Sequence, residues 1–410
     1  MPATTKPAKP KRVNVRTPEV MDRVKAEVEE HYRSHIVEKL RELGGVLTIG
    51  NTTLRLAKQF GFCYGVERAI DLAYASRRVF KDQNIYLIGE IIHNPEVNRQ
   101  LIEMGIRNLV GPDAAATVEE LTAEDVVIVP AFGAETTMME RIKERGCQIV
   151  DTTCGDVMSV WKRVRGYAKK GVTSIIHGKA SHEETRATAS RATSAGEGHY
   201  LVILTLDDTD YVCDYIRKGG DREDFLARFQ GGYSDGFDPN IHLNEVGVAN
   251  QTTMLKSETE ELQRRIAKAI RDRDGTQEEE KFQYFDTICG ATQERQDALF
   301  EMLKHSMDVL LVVGGYNSSN TSHLVEIGEK QLPTFFIRDA KCLRSFEEVI
   351  HYDLHKSEEV TSTYSESLLG DGPVTIGITA GASCPNNLIE DTILRVFKLR
   401  GISRADILAA

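Results

Sequence analysis

The pentapeptide Asp-Thr-x-Cys-Gly occurs twice in this chain, as DTTCG at 151–155 and DTICG at 286–290, with the two cysteines 135 residues apart. Both copies leave an apolar stretch, CQIV or FQYF, and enter a helix-like pattern. Val157, Val160, Trp161 and Val164 follow the first; Ala298, Leu299, Met302 and Leu303 follow the second. A related turn, GFCYGVERAI, sets Cys63 two residues before Gly65. Three like turns along one chain require three like supersecondary units to carry them.

The segments between the cysteines supply those units. Cys63 is followed by IYLIGEIIHNPEV and VVIVPAFGAET, Cys154 by SIIHGKASHEET and VGVANQTTM, and Cys289 by LLVVGGYNSSN and VTIGITAGASCP. Each unit thus holds a cysteine turn and two apolar strands that end in small polar residues, which predicts an α/β class. The expected organisation is an N-terminal helical extension over 1–50 and α/β modules over 51–150, 151–285 and 286–410. An insertion is expected at about 195–242 and a smaller embellishment at 340–371. Functional groups in open α/β sheets collect beyond the carboxyl ends of the strands. Three modules around a pseudo-threefold axis would therefore aim three cysteines and six polar loops at one centre.

Composition narrows the partners. The net charge is −11 and no long basic stripe occurs, so general nucleic-acid binding, which needs clustered Lys and Arg, is not expected. No apolar run approaches the roughly 20 residues of a membrane span. Seven cysteines without a secretory leader point to reduced thiols in a cytoplasm-like compartment. The basic start MPATTKPAKPKRVNVR lacks the serine richness and length of a transit peptide, so a disordered tail in a cytoplasmic protein is expected rather than targeting to a plastid stroma.

A cysteine just before a helix sits where unpaired amides and the helix dipole favour anionic sulfur. The glycines at 65, 155 and 290 leave room for a bulky group. Buried structural cysteines are the alternative for any one of them, but the shared context of all three favours ligation. Separations of 91 and 135 residues exclude local zinc ribbons. A Cys3His zinc site assembled by the fold remains open beside an iron–sulfur cubane with three protein ligands. Cys147, Cys213, Cys342 and Cys384 lie outside the repeated turn. The loops add His93, His182, Glu184, Thr252, Thr253, Ser318, Ser319, Asn320 and Ser383, hydroxyls, amide and imidazoles suited to a phosphate or diphosphate. Neither a P-loop nor a dinucleotide fingerprint occurs.

Taken in order, GFCYGVERAI, IIHNPEVN, DTTCGDV, SHEET, NQTTM, DTICGATQERQ, GGYNSSNTSHL and TAGASCP resemble the motifs of the 4-hydroxy-3-methylbut-2-enyl diphosphate reductase family over about residues 55–395. The extension and the long middle segment resemble its plant and cyanobacterial branch. The resemblance implies three α/β modules in a pseudo-threefold trefoil around a central metal cluster, one [4Fe–4S] cluster per chain with three cysteine ligands, matched by Cys63, Cys154 and Cys289, and a proton donor matched by Glu184. It also implies substrate contacts matched by His93, His182, Thr252, Ser318, Ser319, Asn320 and Ser383. The implied reaction is reductive removal of an allylic hydroxyl to give isopentenyl and dimethylallyl diphosphate, the last step of the non-mevalonate isoprenoid pathway. One departure is Phe132 in AFG, where short bacterial members carry a histidine. Without a flavin or nicotinamide motif, electrons are expected from an external ferredoxin- or flavodoxin-type donor. Two rivals stand beside this reading: a cluster-dependent dehydratase or condensing lyase of the quinolinate synthase type, and a zinc-stabilised binding protein.

Overall fold

The computed structural model describes residues 14–194, 198–275, 281–345, 348–363 and 372–410. The chain divides into two compact units, one built on Val79–Ile91 and Met104–Cys289, the other on Val15–Arg78, Ile92–Glu103 and Gly290–Ala410. Strands are numbered in chain order.

The first unit holds two four-stranded sheets. One contains β3 (Ile85–Leu87), β4 (Ile106–Asn108), β5 (Val126–Val129) and β6 (Gln148–Asp151), in the spatial order β4-β3-β5-β6. The other contains β7 (Thr173–His177), β8 (Tyr200–Ile203), β9 (Val246–Asn250) and β10 (Phe282–Tyr284), in the order β8-β7-β9-β10. Every pairing in both is parallel. Strands β5, β7 and β9 are buried along their whole length. Parallel strands covered on both faces read as continuous apolar runs, which is why VVIV and SIIH stand out without alternation.

The second unit repeats the plan. Its sheet contains β11 (Val309–Val313), β12 (Thr334–Ile337), β15 (Val374–Ala380) and β2 (Thr52–Leu56) in the order β12-β11-β15-β2, again all parallel. An antiparallel edge strand, β1 (Val46–Ile49), pairs with β2. The three sheets therefore share one topology, with spatial order 2-1-3-4, and in each the fourth strand leads into a cysteine turn: β6 into Cys154, β10 into Cys289 and β2 into Cys63.

The strand before Cys63 differs from the expected module boundaries. It is not part of the β3–β6 sheet that follows it in sequence; it closes the last sheet, pairing with β15 from Val374↔Thr52 to Ile378↔Leu56. The reason is positional. Each cysteine strand completes the sheet of the preceding module, so for the first cysteine that sheet comes from the far end of the chain. The expected insertion also starts late. Residues 200–203 form β8, a regular member of its sheet, and the added material begins with the helix Leu206–Lys218. It folds onto its own sheet through Val212, Phe225, Phe229 and Phe237, packed with Leu201 and Ile203. In the segment expected as an embellishment at 340–371, β13 (Glu348–Asp353) and β14 (Glu358–Thr363) form an antiparallel hairpin; 346–347 and 364–371 lie outside the described residues.

Residues 1–13 of the expected extension lie outside the described residues; the described part forms two helices, Pro18–Tyr32 and His35–Glu42. They part at Ser34, whose Oγ caps the second helix by accepting the Val37 N–H at 2.9 Å and donates to Glu390 at 2.6 Å. Both helices belong to the second unit, with Val24, Ile36, Val37 and Leu40 buried and Arg78 bonded to Glu27 at 2.6 Å. Among the described residues no helix is long and apolar enough to cross a membrane.

Candidate active site

The three cysteine turns are built alike. The Cys154 N–H donates to the Ala131 carbonyl at 2.8 Å, that of Cys289 to Thr252 at 3.1 Å, and that of Cys63 to Ala382 at 3.2 Å. Each acceptor lies two residues beyond the end of the third strand of its sheet, Val129, Asn250 or Ala380. One backbone hydrogen bond thus fixes each cysteine at the same point over the same strand of three different sheets. Each cysteine immediately precedes a helix: Tyr64–Val79, Gly155–Ala168 or Gly290–Leu303. The Cys63 and Cys154 carbonyls accept the first helical bonds, from Glu67 at 2.9 Å and Met158 at 3.0 Å.

The repeated Asp-Thr explains itself here. Asp151 Oδ1 accepts the Thr153 N–H at 2.9 Å, and Asp286 Oδ1 accepts the Ile288 N–H at 3.2 Å, an Asx turn in both copies. The next threonine ties the turn to the end of the third strand: Thr152 Oγ1 donates to the Val129 carbonyl at 2.6 Å, and Thr287 Oγ1 donates to Asn250 Oδ1. The Cys63 turn lacks Asp-Thr and uses other means. Gly61 takes a φ of +84°, and the buried Arg295 donates to its carbonyl at 2.6 Å.

Exposure separates the cysteines into two groups. Cys63, Cys154 and Cys289 are half-buried, whereas Cys147, Cys213, Cys342 and Cys384 are buried. Burial pushes the Cys213 thiol up to about 12 and raises Cys147 and Cys384 as well. Those three remain protonated at neutral pH and make poor ligands.

In the first unit, the loops after β7 and β9 meet over Glu184. His182 caps the helix Glu183–Ala192, its Nδ1 accepting the Glu184 N–H at 3.2 Å. The Glu184 side chain is buried, with 3% exposure. Both its oxygens accept from one residue, the N–H of Thr252 at 2.6 Å and Thr252 Oγ1 at 2.9 Å. The Thr252 carbonyl in turn holds Cys289. The carboxylate is therefore one residue away from a cysteine turn. Gln251 braces the arrangement: its Oε1 accepts from Thr185 Oγ1 at 3.0 Å and its Nε2 donates to Thr253 Oγ1 at 2.8 Å. Phe132, after β5, sets its ring edge-on to His182 at 6.5 Å between centroids.

In the second unit, the loops after β11 and β15 gather His93, Ser318, Ser319, Asn320 and Ser383. Ser318 caps the helix Ser319–Glu329 and accepts from Thr321 Oγ1 at 2.9 Å. Asn320 Oδ1 accepts the Ala382 N–H at 2.9 Å, so the residue that holds Cys63 is itself held by Asn320. Asn320 Nδ2 is buried and has no hydrogen-bond partner among the described residues. Ser383 Oγ donates to the His93 carbonyl at 3.1 Å, and Asn317 bonds the His93 ring at 3.2 Å. A Cβ on Gly315 would stand 2.5 Å from the His93 carbonyl oxygen, and one on Gly381 would stand 2.0 Å from Thr321 Oγ1. Only glycine fits at either loop.

All of these residues lie beyond the carboxyl ends of the first and third strands, the point where strand order reverses and α/β sheets bind ligands. Sequence reasoning did not single out Asn317, Gln251 or Thr321. All three were within reach, since they sit inside the quoted motifs NQTTM and GGYNSSNTSHL.

The model of the LytB protein family matches residues 54–397. The chain belongs to the LytB family. Among curated relatives, it is 46% identical over 393 residues to the 4-hydroxy-3-methylbut-2-enyl diphosphate reductase of Gloeobacter violaceus, covering 94% of this chain and 91% of the relative. It is 45% identical to that of a Synechococcus strain, covering 92% and 93%. A solved structure of (E)-4-hydroxy-3-methyl-but-2-enyl diphosphate reductase aligns with a TM-score of 0.50 at 25% identity, covering 84% of this chain and 99% of that one. The Plasmodium falciparum reductase structure gives a TM-score of 0.59 at 21% identity, with 83% and 86% covered, a likeness of fold. The α/β class and the family resemblance expected from the sequence hold.

Proposed function

We propose that this LytB protein removes the allylic hydroxyl of 4-hydroxy-3-methylbut-2-enyl diphosphate, and that Cys63, Cys154 and Cys289 hold one [4Fe–4S] cluster for that purpose. It is an oxidoreductase, as its relatives are, and LytB proteins are iron–sulfur enzymes. The observation that carries the cluster assignment is the cysteine turn built three times, with the same N–H···O=C anchor to the third strand and the same place before a helix. Soft sulfur donors at three helix starts, half-exposed while the other four cysteines are buried, fit a thiolate-bound cluster with three protein ligands. Family membership sets aside the condensing-lyase and zinc-protein alternatives.

When bound, such a cluster supplies electrons and an electrophilic iron. The chain's residues do the rest. Glu184 delivers a proton toward the departing hydroxyl, with Thr252 Oγ1, at 2.9 Å, fixing the carboxyl and relaying the proton. The buried Asn320 Nδ2 is a donor in search of an acceptor, and a diphosphate oxygen satisfies it. Ser318, Ser319 and Ser383 add hydroxyls beside the amino end of Ser319–Glu329, and His93 and His182 add ring nitrogens. Holding the diphosphate fixes the carbon chain for reaction. The balance is one C–O bond broken and one C–H bond formed, with two electrons and two protons taken up and water released. The electrons come from an external one-electron carrier of ferredoxin or flavodoxin type.

Anaerobic, cluster-loaded protein supplied with the hydroxylated allylic diphosphate and dithionite-reduced methyl viologen is expected to yield both isopentenyl and dimethylallyl diphosphate. Turnover of the substrate without any reductant, or no deoxygenated product with one, would overturn this reading.

A further inference from the structure

A chain that spends two electrons per turnover must be recharged from outside, and the first unit carries a surface suited to it. The helix that Cys154 precedes, with the two lysines after it, presents five cations, Lys162, Arg163, Arg165, Lys169 and Lys170, against one carboxylate, Asp156, and all six are exposed. In a chain of net charge −11 this reverses the local sign. Helical spacing lines up Met158, Lys162, Arg165 and Lys169 in one stripe. Lys162, Arg165 and Lys169 form no ion pair among the described residues.

Arg163 and Lys170 flank the stripe on the side of the edge strand β10. The Arg163 guanidinium lies 3.7 Å from the centre of the Phe285 ring, and Lys170 Nζ donates to Gln283 at 3.3 Å. Phe285 also stacks on Tyr167. Among these cations three large apolar side chains stand in water: Tyr284 with 54% exposure, Met158 with 44% and Phe285 with 37%. Beyond β10 a groove of about 420 Å³ continues the surface, lined by Tyr284, Ile288, Lys256, Arg264 and Arg271, with Glu260 and Asp286 as its acids. An apolar centre of aromatic and Met side chains inside a charged rim is the make-up of a protein interface rather than of a small-molecule site.

The surface also reaches the cysteines. Met158 lies in the first helical turn after Cys154. Ile288 adjoins Cys289, and Phe285 is four residues from it, so their Cα atoms lie within about 14 Å of each other.

We infer that this face docks a small acidic protein that carries one electron at a time. The inference rests on the reductase reading above and names where its donor binds. Two reduced carriers dock in turn and leave oxidised, each giving one electron, and the pair accounts for the C–O bond cleaved. The cationic stripe steers the approach of an acidic partner and the aromatic centre seats it.

The test is the triple variant Lys162→Glu/Arg165→Glu/Lys169→Glu, whose changed side chains are all exposed. Rates are measured at low salt with a reduced acidic [2Fe–2S] ferredoxin, and in parallel with reduced methyl viologen. The expected result is a KM for ferredoxin at least about tenfold higher, a flattened dependence on salt, and an unchanged viologen-driven rate. An unaltered KM and salt dependence would overturn the inference, and so would a proportional loss of both rates. Tighter binding of the wild-type face to a single-stranded oligonucleotide than to ferredoxin would also overturn it. Failure of the reductase reading shows itself separately, as absence of viologen-driven product in the wild type.

Discussion

Glu184→Gln is expected to lower turnover by roughly 10²- to 10⁴-fold, the usual worth of a positioned acid–base group, while iron and sulfide content stay at wild-type levels. The carboxyl is buried and receives both the N–H and the Oγ1 of Thr252. An amide of the same shape keeps one acceptor oxygen, but turns an NH2 toward a group that was donating. It also carries no transferable proton near neutral pH. The lost hydrogen bond costs about 1–3 kcal/mol of stability at most, a modest fall in the unfolding midpoint that cannot account for the kinetic loss. A cluster held by Cys289 would be insulated from the change, because Cys289 is anchored by the Thr252 carbonyl and not by its N–H or hydroxyl. Thr252→Ser should retain most activity and Thr252→Val should lose much of it, since serine keeps the hydroxyl relay. Turnover of Glu184→Gln within twofold of wild type would remove the residue from proton delivery.

Replacing Cys63, Cys154 or Cys289 singly by Ser is expected to strip most of the bound iron and sulfide and to reduce turnover to background. A hard, protonated hydroxyl is a poor substitute for thiolate at an iron–sulfur site. The contrast lies in the buried group. Cys213 sits in the apolar core beneath β7 and β9, packed with Val212, Phe225 and Leu262, and its thiol is held protonated by burial. Cys213→Ala should therefore lower the free energy of unfolding by about 1 kcal/mol through lost packing, with iron content unchanged. Iron analysis and denaturant unfolding on the four variants separate a ligand's loss from a packing loss. Full iron in any of the three serine variants would remove that cysteine from the ligand set.

Much of this site was legible because its parts are local. The Asx turn of Asp151 and Asp286, the helix after each cysteine, and the asparagine that closes VGVAN are short-range consequences of residue type and spacing. Glu184 stood in the SHEET motif beside a histidine that turns out to cap its helix. What was hidden depends on long-range pairing. Nothing near Thr52–Leu56 states that its parallel partner is Val374–Ile378, because a strand's own sequence fixes its burial but not its neighbour. Tyr200–Ile203 was absorbed into an insertion because the polar, glycine-rich stretch before it and the helical material after it outweigh four apolar residues. The direction of Asn320 Nδ2 and the anchoring of each cysteine to the third strand are properties of packed backbone. No composition encodes them. The cationic stripe on the Cys154 helix was present as KRVRGYAKK, but the chain's overall negative charge obscured it until the exposed face was known.

Three thiolates, and no fourth protein sulfur, are expected to hold one cubane cluster. The most direct test is Mössbauer spectroscopy of the anaerobic, iron-57-loaded protein without substrate. Two classes of iron in a ratio of about three to one are expected, the minority class changing when the allylic alcohol diphosphate is added. A single class of four equivalent irons, indifferent to substrate, would contradict it.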